Sequence, residues 1–386
     1  MTVRYRWGAA LLSVCLFAAV ACGDEGPDHG EYALVAEPGD YDEGPNRVRG
    51  TLVESLRLGE RVIFADRIDP ELTEGNGGGP VVGVRGVDDL LSGAQRAALE
   101  PFDVLAGFGA IGGNGLDDNE SKNKFLSITV LSLPGEAEAT SAAQAMAAAD
   151  FAATPDNAPI ALPEYPAALT HWRPGVPTVG SWSVWKNLVV RIFAKIVEPN
   201  SDQLADLLTR TYRAQLAELE TFTPTAAAEV PGLKLDPDSL LPRVVKTDDY
   251  WPDRWNFTVF GPHSFALLNE QPSARLRELE TNRVDAIAVS YNKFLYRTAD
   301  SATAEAFAEV ERQRMLSTRY DETSGVADLS GVSCFRATRP APESVPARRF
   351  ACLVRHAQFV VLIHGNQEIE TRRQAVAQYA LLGGTW

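Results

Sequence analysis

The chain has 386 residues, 45% of them hydrophobic and 23% charged, and its 51 acidic against 36 basic side chains give a formal net charge of -15. Such a composition supports a globular fold, and the length sets a prior of two domains. A surface this acidic repels phosphate backbones and anionic headgroups, which argues against nucleic-acid partners and against membrane attachment through a polybasic patch.

Residues 1–21 read as an export leader. Arg4 and Arg6 form a positive n-region, Gly8 to Ala21 form an apolar run, and small residues precede a cleavage point. The run is short of the roughly 20 residues that cross a bilayer. Ala19-x-Ala21 fits ordinary signal peptidase, which would release a soluble secreted protein. The same residues followed by Cys22 resemble a bacterial lipobox, in which the cysteine becomes a diacylglyceryl-modified N-terminus. Cysteine arithmetic favours the lipobox. Of four cysteines, Cys15 leaves with the leader, and if Cys334 and Cys352 pair, Cys22 would remain as an odd exposed thiol unless acylated. The expectation is a lipid-anchored protein on the outer face of the plasma membrane.

Downstream, residues 22–40 are rich in Gly, Pro and acid and read as a flexible tether. An N-terminal α+β domain is expected over 41–232 and a C-terminal one over 233–386. Arg47 to Arg61, with Val48, Leu52, Leu56 and Leu58, has the spacing of an amphipathic helix; Val62 to Phe64 continues as a buried connection and Gly75 to Gly79 as a loose loop. A short helix is predicted over Ser92 to Leu99. Gly107-Phe108-Gly109-Ala110-Ile111-Gly112 matches G-x-G-x-x-G, but Gly113-Asn114-Gly115 follows where a dinucleotide site needs a helix, so the stretch reads as a loop. Asp117 to Asn123 imitates a calcium loop, yet Lys122 stands at the bend glycine and Ile128 at the bidentate glutamate.

From Lys124 a pattern occurs twice. A strand over Phe125 to Leu133 leads to an Ala-rich helix over 137–153, a hairpin ending in Val189 to Phe193, and a helix over 201–219 capped by Ser201 and Asp202, with Leu204, Leu207, Leu208 and Tyr212 as its buried stripe. The second copy opens at Asn292-Lys293-Phe294-Leu295, matching Asn123 to Leu126. It continues with a helix over 301–316, a hairpin over 332–363 and a helix over 368–382. The order defines an α+β protein of two tandem related units, each an antiparallel sheet with helices packed on one face. Cys334 and Cys352 are equidistant from Glu343, so a symmetric hairpin places them opposite each other and suits a disulfide.

Arg57-Leu58-Gly59-Glu60 with Ile68 to Thr73, His171 with Pro177 to Val179 and Ser181-Trp182, and Phe222 to Thr225 with Leu235 to Leu241 resemble an uncharacterised family of actinobacterial lipoproteins. The resemblance covers most of the mature chain. It implies an envelope lipoprotein of two related α+β domains, with no established activity or cofactor.

Catalytic and metal signatures are missing from the sequence. His29, His171, His263, His356 and His364 form no H-E-x-x-H and have no C-x-x-C companion; no serine occupies a G-x-S-x-G elbow. His356 and His364, taken as one strand, would stand about 26 Å apart. Neither a cofactor nor a metal is called for. The binding character lies in Trp172, Trp182 and Trp185 of the first hairpin and in Tyr250, Trp251 and Trp255 near the join of the two halves. Trp182 and Trp185 are three apart and point to opposite faces of a strand. Tryptophans at a cleft suit sugar rings or lipid headgroups, whereas buried ones belong to the core. The sequence therefore points to a non-catalytic binding or accessory module, with an envelope lipid, glycan or protein as partner. The alternative is an envelope hydrolase whose triad, through His171 or His263, assembles only in space.

Overall fold

The structure is a computed structural model that describes residues 26–88, 90–115, 123–326, 329–339 and 348–385. The leader, Cys22, the calcium-like stretch from Asp117 to Lys122 and the turn at Glu343 lie outside those residues.

The first unit runs α1 (Arg47–Gly59), β1 (Glu74–Val81), α2 (Gly93–Leu99), β2 (Ala106–Gly113), β3 (Phe125–Ser132), α3 (Glu136–Phe151), β4 (Ala158–Pro159), β5 (Leu169–Trp172), β6 (Thr178–Trp185), β7 (Leu188–Lys195) and α4 (Ser201–Leu219). The second runs β8 (Phe257–Phe260), α5 (Pro262–Ala266), α6 (Pro272–Thr281), β9 (Ala286–Ser290), β10 (Lys293–Arg297), α7 (Ser301–Thr318), β11 (Tyr320–Thr323), β12 (Val332–Ala337), β13 (Phe350–His356), β14 (Phe359–Gly365) and α8 (Glu368–Leu381). Each unit forms a seven-stranded sheet. The orders β1-β2-β3-β7-β6-β5-β4 and β8-β9-β10-β14-β13-β12-β11 follow one path, and all pairings are antiparallel. The protein is thus α+β, built from two related units. The matched Asn-Lys-Phe-Leu segments enter the equivalent strands β3 and β10, and the Val-Val pairs lie on the equivalent strands β7 and β14.

Strand alternation decides how the helices lie. Leu126, Ile128 and Val130 of β3 face a core completed by Leu52 and Leu56 of α1 and by Leu204, Leu208 and Tyr212 of α4. Leu131 on the same strand faces Ala139, Ala142, Ala143 and Met146 of α3, together with Leu99 of α2. Helices therefore cover both faces of the first sheet, where the sequence pattern alone suggested one. Each side of β3 and β7 carries buried apolar side chains, Leu126, Ile128 and Val190 on one and Leu131 and Val189 on the other, and each side needs cover.

Two stretches read as loops are strands. Gly75 to Gly79 lies in the edge strand β1 and the G-x-G-x-x-G segment forms β2. Glycine supplies close approach here. A side chain at Gly109 would meet Leu90 at 2.5 Å, and one at Gly112 would meet Ala65 at 2.5 Å. At Gly78, with φ +118°, a Cβ would lie 2.2 Å from the carbonyl oxygen of Gly109. Within α1, Val48 is exposed and the other three apolar positions are buried. The cap of α4 is Asn200, which accepts from Gln203 N at 2.9 Å, one residue before the expected Ser201.

Cys334 and Cys352 are directly opposed on β12 and β13 and form a disulfide, with Cα atoms 4.1 Å apart. One apolar core runs through the α1/α4 side of the first unit and into the second. The contact between units is reinforced where Glu60 accepts from Ser264 N at 2.9 Å, His263 Nε2 meets the Val62 carbonyl at 2.7 Å, and Ser273 bonds Asp66 at 2.6 Å.

Candidate functional site

The chain before α1, expected as a free tether, is tied onto the second unit from Asp28 onward. Asp28 pairs with Arg373 of α8 at 2.9 Å, Tyr32 donates to Glu370 of the same helix, and Tyr32 and Leu34 pack on the core. Arg49 completes the attachment. Its side chain is 1% exposed and donates to the carbonyls of Leu233 (2.8 Å), Tyr41 (3.0 Å), Gly44 (2.8 Å) and Pro231 (3.1 Å). Asp42, 3.4 Å from Arg49, accepts the N–H groups of Leu235 and Asp236 at 2.7 and 2.9 Å. A strap over residues 28–44 therefore lies across the join of the two units, and composition concealed it because most of its partners are distant in the chain.

Between this strap and the segment leading to β8 lies a cleft of about 590 Å³. Its size is within the usual range for small ligands. Val35, Glu37, Asp40 and Tyr41 form one wall; Lys246, Asp248, Asp249, Tyr250 and Trp251 form the other. The direct interface of the two units, by contrast, leaves a void of only about 20 Å³ beside Ile63, Phe64 and Leu267. The join of the units is packed shut, and the open space lies under the strap.

The cleft floor is aromatic. Tyr41 meets Phe257 edge-on at 5.1 Å, and Tyr250 stacks on Tyr291 at 5.8 Å. The Tyr41 hydroxyl donates to Asp236 at 3.0 Å. Burial, then the neighbouring Asp236 charge, pushes that phenol far above its ordinary pKa. Desolvation likewise raises the Asp236 carboxyl, although Leu240 N, Leu241 N and Tyr41 all donate to it. Beneath Tyr250, Lys293 is fully buried; its ammonium donates to Thr247 at 2.9 Å, and burial pushes its pKa down to about 8.

The tryptophans do not gather at one rim. Trp182 is fully buried and stacks on His171 at 5.3 Å, 18° from parallel, so its expected place among tryptophans at a cleft is overturned: its ring is core between α3 and the sheet. Trp172 and Trp185 are half-buried against the opposite core, with Lys186 3.9 Å above the Trp185 ring. Trp255, 43% exposed, lies on Gly79 of β1, where a Cβ would come within 2.6 Å of its ring. Trp251 lines the cleft and is 65% exposed.

The histidines are dispersed. His171 shares a hydrogen bond with Asp150 at 3.0 Å; desolvation works to raise the Asp150 pKa, but the bonds from His171 and Gln95 hold it below the usual carboxylate range. Ser181, adjacent in the next strand, is turned to the other face and bonds Tyr212 and Thr170 at 2.7 and 2.6 Å. His263 is occupied by a backbone carbonyl. His356 and His364 lie on two strands of a hairpin, β13 and β14, rather than on one, because a turn at Ala357-Gln358 reverses the chain. His364 is held neutral by burial, its pKa pushed down to about 3. Among the described residues no three His, Cys, Asp or Glu side chains are placed to hold a metal, and neither His171 nor His263 joins a serine and a carboxylate.

The fold and the strapped cleft define a class: paired α+β units sharing one strand order. The chain belongs to the DUF7373 family; residues 41–235 match its N-terminal domain of unknown function and residues 240–385 its C-terminal domain of unknown function. No curated protein sequence matches it. The extracellular domain of PknH from Mycobacterium tuberculosis is similar over 44% of this chain and 98% of its own, at 12% identity and a TM-score of 0.28. No helix among the described residues is long and apolar enough to cross a membrane.

Proposed function

We propose that this protein is a lipid-anchored, non-catalytic binding module of the cell envelope, whose strap-covered cleft takes a glycan. Attachment rests on the sequence reading of the leader and Cys22. The binding role rests on one observation: Trp251 stays 65% exposed at the mouth of a cleft of about 590 Å³ floored by Tyr41, Tyr250 and Phe257. An exposed indole beside carboxylates suits a sugar, whose C–H face stacks on the ring while its hydroxyls donate to Glu37, Asp40, Asp248 or Asp249. Those four carboxylates around a lone Lys246 disfavour anionic lipid headgroups. Anchoring is tested by mass spectrometry of the native N-terminus: a diacylated Cys22 is expected, and an unacylated or retained leader contradicts it. Binding is tested by calorimetric titration with a soluble N-acetylglucosamine tetramer and with anionic lipid vesicles. Saturable sugar binding is expected; binding to vesicles alone, or to neither probe, contradicts the reading.

A further inference from the structure

The α3-covered face of the first sheet carries a charge that the cleft does not use. Arg191, in the middle of β7, is 4% exposed, and its Nε and Nη1 have no hydrogen-bond partner. A guanidinium keeps its proton in proteins, so the charge is permanent. Asp150 is near enough for its field to reach Arg191, but both of its oxygens are occupied, by His171 Nε2 at 3.0 Å and Gln95 Nε2 at 2.5 Å.

Register shows what surrounds that charge. Thr129 of β3 and Trp182 of β6 lie directly opposite Arg191 on its two sides, and Ser127 lies two residues along β3, so all four side chains share one face. Thr129 Oγ1, Ser127 Oγ and Trp182 Nε1 are also buried without a partner. Each of these atoms carries a hydrogen to donate. Gln95 Oε1 is likewise unpartnered and is an acceptor, held at the α2 edge by the hydrogen bond that its Nε2 donates to Asp150. The guanidinium lies over the Phe193 ring, 5.1 Å from its centroid. It thus leans toward the end of the face where Ile111, Phe125 and Phe193 are only half-buried.

An unpaired buried charge surrounded by idle donors is costly, and a ligand that supplies acceptors and negative charge relieves both costs at once. We propose that Arg191, Thr129, Ser127 and Trp182 form a binding site for a small oxyanion, entered from the Phe193 end of the sheet. The shared chemistry is an acceptor-only group meeting a guanidinium, as in a carboxylate or inorganic phosphate. The site is separate from the strapped cleft and stands whether or not the cleft binds sugar.

The test uses the full mature chain at constant ionic strength, titrated with acetate or phosphate against a chloride background and followed by calorimetry and thermal unfolding. One of the two anions is expected to bind saturably and raise the melting temperature; acetate identifies a carboxylate ligand and phosphate an inorganic one. Arg191→Lys should weaken that binding about ten-fold or more by removing the planar fork, and Thr129→Val several-fold. Thr129→Val keeps the size of the side chain, so it serves even if the arginine variant fails to fold. No saturable response to either anion, undiminished binding in both variants, or a crystal structure grown in the anions with only water beside Arg191 would overturn the proposal.

Discussion

Tyr41 donates its hydroxyl to Asp236 at 3.0 Å across 195 residues of chain, and that bond closes the strap over the second unit. Arg49 secures the same strap through four backbone carbonyls. Arg49→Met leaves those carbonyls and Asp42 without their cation. The expected loss is roughly 3 kcal/mol or more in urea unfolding, with faster amide exchange across residues 28–44. Unchanged protection of that segment would show that the strap is held by its apolar contacts alone.

Burial separates two tryptophans that look alike in sequence. Trp182→Ala should cost about 3–5 kcal/mol, as expected for emptying a core site. Trp251→Ala should stay within about 0.5 kcal/mol of wild type because its ring is largely in solvent. Chemical denaturation of the two variants measures both.

Lys293 gives the protein a dependence on alkaline pH. Its folded pKa is depressed to about 8 by burial, so between there and the ordinary lysine value of about 10.4 the unfolded chain holds a proton that the native one has lost. Stability from this group therefore rises with pH across that window and is absent below it. Relative to Lys293→Met, the wild type should gain on the order of 3 kcal/mol on passing from pH 7.5 to pH 10.5. Parallel pH profiles of the two proteins would contradict the burial of a charged ammonium.

The disulfide between Cys334 and Cys352 closes a loop with a sequence separation of 18. Replacing both cysteines by serine should lower stability by about 3 kcal/mol on the chain-entropy model. Urea unfolding measures the loss, and no change would mean that the register of β12 and β13 alone holds the hairpin.

What the sequence disclosed follows from where side chains carry a period. The stripe of α4, the apolar runs of β3 and β7 and the symmetric cysteines of β12 and β13 all announce themselves, because burial selects residue types at regular spacing. The strands β1 and β2 do not, since glycine has no side chain to alternate and the selection there is for its absence. Arg191 and Lys293 were hidden for the opposite reason. Each charge interrupts an apolar strand in the way a solvent-facing residue would, and a second layer of helices or loops is what turns it inward. The aromatic residues were less legible: Trp251 is exposed and lines a cleft whereas Trp182 is core, and residue type alone does not separate the two.

The strapped cleft is best tried by titrating the mature wild-type chain and Trp251→Ala side by side with the N-acetylglucosamine tetramer in a calorimeter. Saturable heat for the wild type and at least ten-fold weaker binding for the variant, at equal stability, is the result predicted. Equal binding by both proteins, or no heat from the wild type, would contradict a glycan site at Trp251.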